Sequence, residues 1–195
     1  HTKVGKLTRP DGTEAIEPAS KVTELNKFFN SVFIDEDMEH LPTPAHVSNV
    51  SLERVTVTEE RVKTKLLSLN ASKTPGPDNI HPRFLKETAE VLCVPLTVLF
   101  TRSLAEGVLP EDWKLGNITP IHKKGSKGAV ENYRPISLTS HVSKVLESII
   151  RDEIVSFLVE NDALSDSQHV FVPGRSCTSQ LLLAMEDWTK TLDAG

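Results

Sequence analysis

The sequence predicts an α+β fold, mostly helices with one antiparallel β-hairpin. Two observations predict it. Apolar residues recur at helical spacing in several separate stretches, and two strand-like runs, Ile118–Lys123 and Tyr133–Leu138, flank a loop bearing Gly125 and Gly128. Neither an internal repeat nor a low-complexity tract interrupts this pattern.

Residues 1–18 are polar and turn-rich, after which Val22, Leu25, Phe28, Phe29 and Val32 mark a helix. An acidic, proline-bearing stretch (Asp35, Glu36, Asp37, Glu39, Pro42, Pro44) reads as a linker. Thr58 before Glu59 and Glu60 is an N-cap with first-turn acids, and Val62, Leu66 and Leu69 give the inner face that follows. Thr74-Pro75-Gly76-Pro77-Asp78-Asn79 holds too many breakers to be anything but a loop. Pro82 opens a helix through Leu92, and Pro95 opens a second with Leu96, Leu99, Phe100, Ser103 and Leu104 inward and Gly107 at its end. The strongest helix starts near Ser140 and holds Val142, Val145, Leu146, Ile149, Ile150, Ile154, Phe157 and Leu158 in register. Beyond Pro173-Gly174 a last helix carries Leu181, Leu182, Met185, Trp188 and Leu192, which read as core.

A chain of 195 residues can bury one real core, and 38% hydrophobic with 25% charged residues is an ordinary globular balance without a membrane-length apolar run. The start, His1-Thr2-Lys3-Val4-Gly5, has neither an initiator Met nor a signal-peptide core and reads as part of a longer protein. Two cysteines, Cys93 and Cys177, support neither a disulfide framework nor a zinc module, so a reducing compartment, cytosol or nucleus, is expected. The net charge of −5 argues against a general polyanion coat. It hides an asymmetry, however. Lys114, Lys123, Lys124, Lys127, Arg134, Lys144 and Arg151 face only Glu131 and Glu147 between residues 114 and 151, a local +5 that leaves −10 elsewhere. Such a patch suits a specific anionic ligand, and equally a solvated charged face.

Self-contained catalytic motifs are missing. The seven histidines are scattered without metal spacing, no Gly-rich loop leads to Gly-Lys, and Gly174-Arg175-Ser176 lacks the setting of a nucleophile elbow. Phe33-Ile34-Asp35-Glu36-Asp37 superficially resembles an acidic polymerase motif but sits in the linker. One constellation remains, the basic hairpin from Asn117 to Leu138. It can hold a lysine on one arm and Arg134 on the other over one pocket, a fork suited to a triphosphate. Lys123 and Lys124 face opposite ways, so only one of them serves.

Four ordered blocks are recognisable. Lys73 to Pro82 resembles the "SKxPGPDxIHP" block of reverse transcriptases from non-long-terminal-repeat (LINE-type) retrotransposons. Trp113-Lys114 leading to Ile118–Gly125 looks like their next block, and Asn132–Ser140, with Lys144 and Glu147 beyond, like the one after. Ser167-Gln168-His169, Phe171 and Pro173–Cys177 are similar to "SQHGFxxGRS". Residues 1–55 more loosely resemble the connector upstream of the polymerase, leaving 56–195 as a truncated polymerase part.

The resemblance implies the fingers and palm entry of a right-hand polymerase whose parent is an RNA-directed DNA polymerase (a nucleotidyltransferase). Implied partners are an RNA template, a DNA primer, deoxynucleoside triphosphates and the rest of a polyprotein with endonuclease and palm, with no membrane. By similarity, Lys123 and Arg134 would contact the triphosphate; Pro75, Gly76 and Asp78 would hold the template; Gln168, Gly174 and Arg175 would lie near template and primer. The bland readings are a loop that merely positions the Pro82 helix and an Arg134 held in a core salt bridge. Two departures stand out. No Tyr/Phe-x-Asp-Asp motif occurs, and the aspartates that bind the parent's magnesium are expected beyond Gly195, so this fragment is expected to hold no metal, contribute no catalytic residue and be inactive alone. Val170 replaces a family glycine expected to serve a left-handed backbone angle or close approach to nucleic acid, as in a decayed copy. The rivals are a catalytically dead remnant acting as a protein-interaction module, and an intron-encoded maturase, which matches the blocks less well.

Overall fold

The computed structural model describes residues 4–35, 50–165, 167–170, 172 and 174–193. They fall into two compact units, residues 4–35 with 55–149, and residues 50–54 with those described from 150 onward.

In the first unit, short sequence signals set the helix ends. β1 (Leu7–Thr8) and β2 (Glu14–Ala15) form a small antiparallel hairpin before α1 (Pro18–Ser31). Two-residue strands carry no readable period, which is why residues 1–18 look merely turn-rich. Of the apolar positions expected on α1, Leu25 and Phe29 are buried and Phe28 half-buried, whereas Val22 and Val32 are exposed. α2 (Glu59–Leu67) starts as read, with the Thr58 hydroxyl accepting the Arg61 N–H at 3.3 Å. Val62 and Leu66, one turn apart, are fully buried.

The next two helices divide elsewhere than expected. α3 spans Pro82–Glu87 and α4 Ala89–Glu106, so the break falls at Thr88 and Pro95 lies inside α4 rather than at its start. Thr88 leaves the helix (φ −103°, ψ 15°), and its hydroxyl donates to the Phe84 carbonyl at 2.7 Å, tying off α3. Pro95 removes one donor from α4, which would have met the Val91 carbonyl four residues back. Val91, Val94 and Pro95 are all exposed, so water can satisfy that carbonyl. Gly107 does end α4, in a left-handed conformation (φ 65°). α2, α3 and α4 pack on one another, burying Leu85, Ala89, Cys93 and Phe100, and the Phe100 ring meets Trp113 edge-on at 5.7 Å. Leu99, expected inside, is exposed.

β3 (Asn117–His122) and β4 (Tyr133–Leu138) form the expected antiparallel hairpin. α5 (His141–Glu160) is capped by the Ser140 hydroxyl, which accepts the Val142 N–H at 3.1 Å, and it buries Val142, Val145, Leu146 and Ile149.

The second unit holds the later turns of α5 and α6 (Cys177–Asp193). Phe157 and Leu158 are half-buried and Ile154 is exposed. The apolar face of α6, expected as core, is open instead: Leu181, Leu182, Met185, Trp188 and Leu192 are 59–81% exposed. Helical spacing makes a face apolar but does not provide what packs against it. The acidic segment from Glu36 to Pro44 lies outside the described residues. Among those described, no helix is long and apolar enough to cross a membrane.

Because Pro95 sits exposed inside α4, Pro95→Ala restores a helical donor without disturbing the core. It should stabilise the chain by about 1–3 kcal/mol, read as a higher urea midpoint at unchanged m-value.

Candidate functional site

The pleat of the β3–β4 hairpin decides which side chains share a face. Ile121 lies opposite Arg134, and His122 opposite Tyr133. The Lys123 N–H continues the pairing by donating to the Asn132 carbonyl at 2.8 Å. Lys123 therefore stands two pairs beyond Arg134, on the same face, and continued alternation turns Lys124 to the other. Both Lys123 and Arg134 are exposed, and among the described residues neither has a carboxylate partner. Arg134 thus lies in no core salt bridge. Two other bases of the stretch are paired, Lys114 with Glu111 at 2.6 Å and Arg151 with Asp152 at 2.7 Å.

The turn joining the arms is knitted to itself. Gly125 takes φ 78°, where a Cβ would lie 2.7 Å from Asn132 Nδ2. That same Asn132 amide donates to the Ser126 carbonyl at 3.0 Å. His122 Nε2 meets the Gly125 carbonyl at 3.1 Å, and the Tyr133 hydroxyl donates to the Lys127 carbonyl at 2.8 Å. Burial pushes the Tyr133 phenol above its usual range, so it remains a donor throughout neutral pH. Tyr133 and His122 also stack edge-on at 5.4 Å.

The Pro75–Asp78 loop is fastened to the start of α5. Gly76 is buried, and a Cβ there would stand 2.5 Å from the Thr139 carbonyl oxygen. Buried His141 donates from Nε2 to the Thr74 carbonyl at 2.9 Å. Asp78 accepts the Ile80 N–H at 3.1 Å and Asn79 takes a left-handed φ of 56°, so the loop also leads into α3 as a turn. Pro75 and Asp78 stay half-buried, which leaves the loop an accessible side.

In the second unit, Gln168 and Gly174 are exposed, while Arg175 is engaged. Its Nη1 donates to the Ser165 and Gln168 carbonyls at 3.0 and 2.9 Å, bracing that turn. Ser176 and Ser179 cap α6 reciprocally: the Ser176 hydroxyl accepts the Ser179 N–H at 3.1 Å, and the Ser179 hydroxyl the Ser176 N–H at 2.9 Å. Buried His169 Nδ1 is hydrogen-bonded to the Ser179 hydroxyl at 2.8 Å. Of the two expectations for Val170, the left-handed backbone angle is not found. Among the described residues, left-handed backbones outside glycine occur at Asn79 and Asp162 and not at Val170, so a β-branched side chain causes no strain of that kind there.

Sequence reasoning missed Tyr133 and His141. Both were visible, as the sole tyrosine and a histidine opening a long helix, but their partners are distant in sequence.

No family model matches the chain. Among curated proteins it is similar to the probable RNA-directed DNA polymerase from transposon BS of Drosophila melanogaster, 31% identical over 147 residues, 75% of this chain and 16% of that protein. The polymerase from the X-element of the same fly is 32% identical over 63% of the chain and 14% of its own length. The RNA-directed DNA polymerase from mobile element jockey, also from that fly, is 31% identical over 60% of the chain and 13% of its own length. The chain belongs to the RNA-directed DNA polymerases of LINE-type retrotransposons. It spans 13–16% of the length of these relatives. Within this retrotransposon polymerase family, the four sequence blocks become the hairpin face, the Gly76 loop, the α5 cap and the Arg175 turn.

Gly76→Ala places a methyl group on backbone that cannot swing aside. It should cost about 1–3 kcal/mol and shift the amide resonances of residues 74–80 and 139–141, read by thermal unfolding and heteronuclear spectra.

Proposed function

We propose that this chain is the fingers and palm entry of a reverse transcriptase whose parent copies an RNA template into DNA from a primer. Lys123 and Arg134 grip the triphosphate of the incoming deoxynucleotide. The observation that carries this reading is the shared face of two exposed cations, on opposite arms of one hairpin, with no carboxylate partner among the described residues. Arg134 supplies a planar bidentate fork and Lys123 a mobile point charge, both in a form that makes charge-assisted bonds with phosphate oxygens.

Pro75 and Asp78 hold the template strand, on a loop whose path Gly76 sets by its close approach to Thr139. Gln168 and Gly174 meet template and primer, and Arg175 shapes that turn through its carbonyl contacts. Residues 1–55 are the connector that precedes the polymerase in the parent. Magnesium belongs to the parent's chemistry. Among the described residues no three His, Cys, Asp or Glu side chains gather as candidate ligands. The chain binds rather than catalyses.

A second reading, a remnant that docks on another protein, is favoured by the exposed apolar face of α6. Activity of the parent separates the two.

In the parent enzyme, Arg134→Ala should raise the nucleotide KM and lower incorporation efficiency about tenfold to a hundredfold, because bonds to charged groups are worth roughly 1.5–3 kcal/mol. Lys123→Ala should behave alike, Lys124→Ala much less, and the double mutant should lose less than the sum. A fall in melting temperature with unaltered KM would refute the role of Arg134. The 195-residue chain should give no magnesium-dependent extension of oligo(dT) on poly(A). Measurable extension by it would overturn the assignment of catalysis to residues outside this sequence.

A further inference from the structure

The N-terminal segment does more than precede the hairpin. Leu7 and Ala15 from the small hairpin, Leu25 and Phe29 from α1, and Tyr133 from β4 form one buried cluster, with Val4, Phe28 and Val130 packed around it. More than a hundred residues of sequence separate Leu7 from Tyr133, yet both are at most 6% exposed. The backbone joins as well. The Thr8 N–H donates to the Gly128 carbonyl at 2.7 Å, and at Gly128 a Cβ would stand 3.2 Å from the Thr8 hydroxyl. The cluster thus seizes the hairpin at its turn end, on β4 and on the loop.

Strand alternation gives this grip a direction. Tyr133 points to the face opposite its neighbour Arg134, and Arg134 shares its face with Lys123. The side taken by the N-terminal cluster is therefore the back of the triphosphate fork. The Tyr133 hydroxyl, bonded to the Lys127 carbonyl, fixes the loop from that same back side. A two-stranded hairpin alone is marginal in water. Holding two cations on it at the separation a triphosphate needs requires support from elsewhere.

We infer that residues 4–31 are a brace that positions Lys123 and Arg134 for the triphosphate by clamping Tyr133 and the 126–130 loop from behind. Phe29, Leu25 and Tyr133 are positioning residues: none touches the nucleotide. The nucleotide half of this inference rests on the proposed phosphate role of Lys123 and Arg134. The brace itself rests on the cluster alone.

The test uses the whole 195-residue chain, deoxythymidine triphosphate as probe, and two readouts, hydrogen exchange of the Lys123 and Thr8 amides and the probe's dissociation constant. Phe29→Ala removes the centre of the cluster without touching the cationic face. It should speed exchange at both amides and weaken the probe about tenfold, a change of roughly 1.4 kcal/mol. Phe29→Leu should restore most of both. Leu66→Ala, in the α2–α4 packing, serves as a control that lowers overall stability, and it should leave probe affinity and the Lys123 amide unchanged relative to Thr8. If Phe29→Ala frees Thr8 but leaves Lys123 protected and affinity intact, the brace is refuted. Equal effects of Leu66→Ala and Phe29→Ala refute it too. If Arg134→Ala leaves affinity unaltered, the phosphate reading falls and takes the nucleotide half with it, while the Lys123 amide still decides the brace.

Discussion

The phosphate fork and the brace behind it depend on one antiparallel register, Ile121 opposite Arg134 and the Lys123 amide on the Asn132 carbonyl. A slip of one residue would move every side chain to the other face. Lys124 would then replace Lys123 beside Arg134, or Tyr133 would be turned away from its cluster. The register is pinned from the turn, where the Asn132 amide donates to the Ser126 carbonyl, the Tyr133 hydroxyl to the Lys127 carbonyl, and the His122 ring meets the Gly125 carbonyl. Long-range packing at Tyr133 then makes the choice costly to reverse.

The same economy of fixed points serves the Gly76 loop. A breaker-rich stretch has many conformations, and Pro and Gly alone do not select one. Selection comes from three contacts to the start of α5: the close approach of Gly76 to Thr139, the His141 bond to Thr74, and the Ser140 cap that sets where α5 begins. A single change at Gly76 or His141 therefore acts on the loop and the helix cap together. The Arg175 turn is built on another plan, with a charged side chain bonded to backbone carbonyls in place of close packing. An arginine so engaged orients its neighbours before it can meet any ligand.

Exposure is unevenly distributed, and it bears on function. Lys123 and Arg134 are exposed with no carboxylate partner among the described residues, which for two cations on one face costs repulsion unless an anion is present. Leu181, Met185, Trp188 and Leu192 are open along one side of α6. The first feature fits a small charged ligand and the second a macromolecular surface.

The sequence by itself determined the local chemistry: Thr58, Ser140 and Gly107 as helix ends, the two hairpin strands, and the blocks that carry the family resemblance. These are legible because caps, turns and strand alternation involve residues a few positions apart. The shared face of Lys123 and Arg134 was legible for the same reason, since one hairpin carries both. Only the tertiary structure decided that the break before α4 falls at Thr88, that Val170 keeps an ordinary backbone, that Gly76 lies beneath Thr139, and that residues 4–31 close over Tyr133. It also left bare a face of α6 that periodicity marks as core. The physical reason is common to all of these: periodicity states which groups prefer to leave water, and burial depends on partners that the chain brings from far along its length.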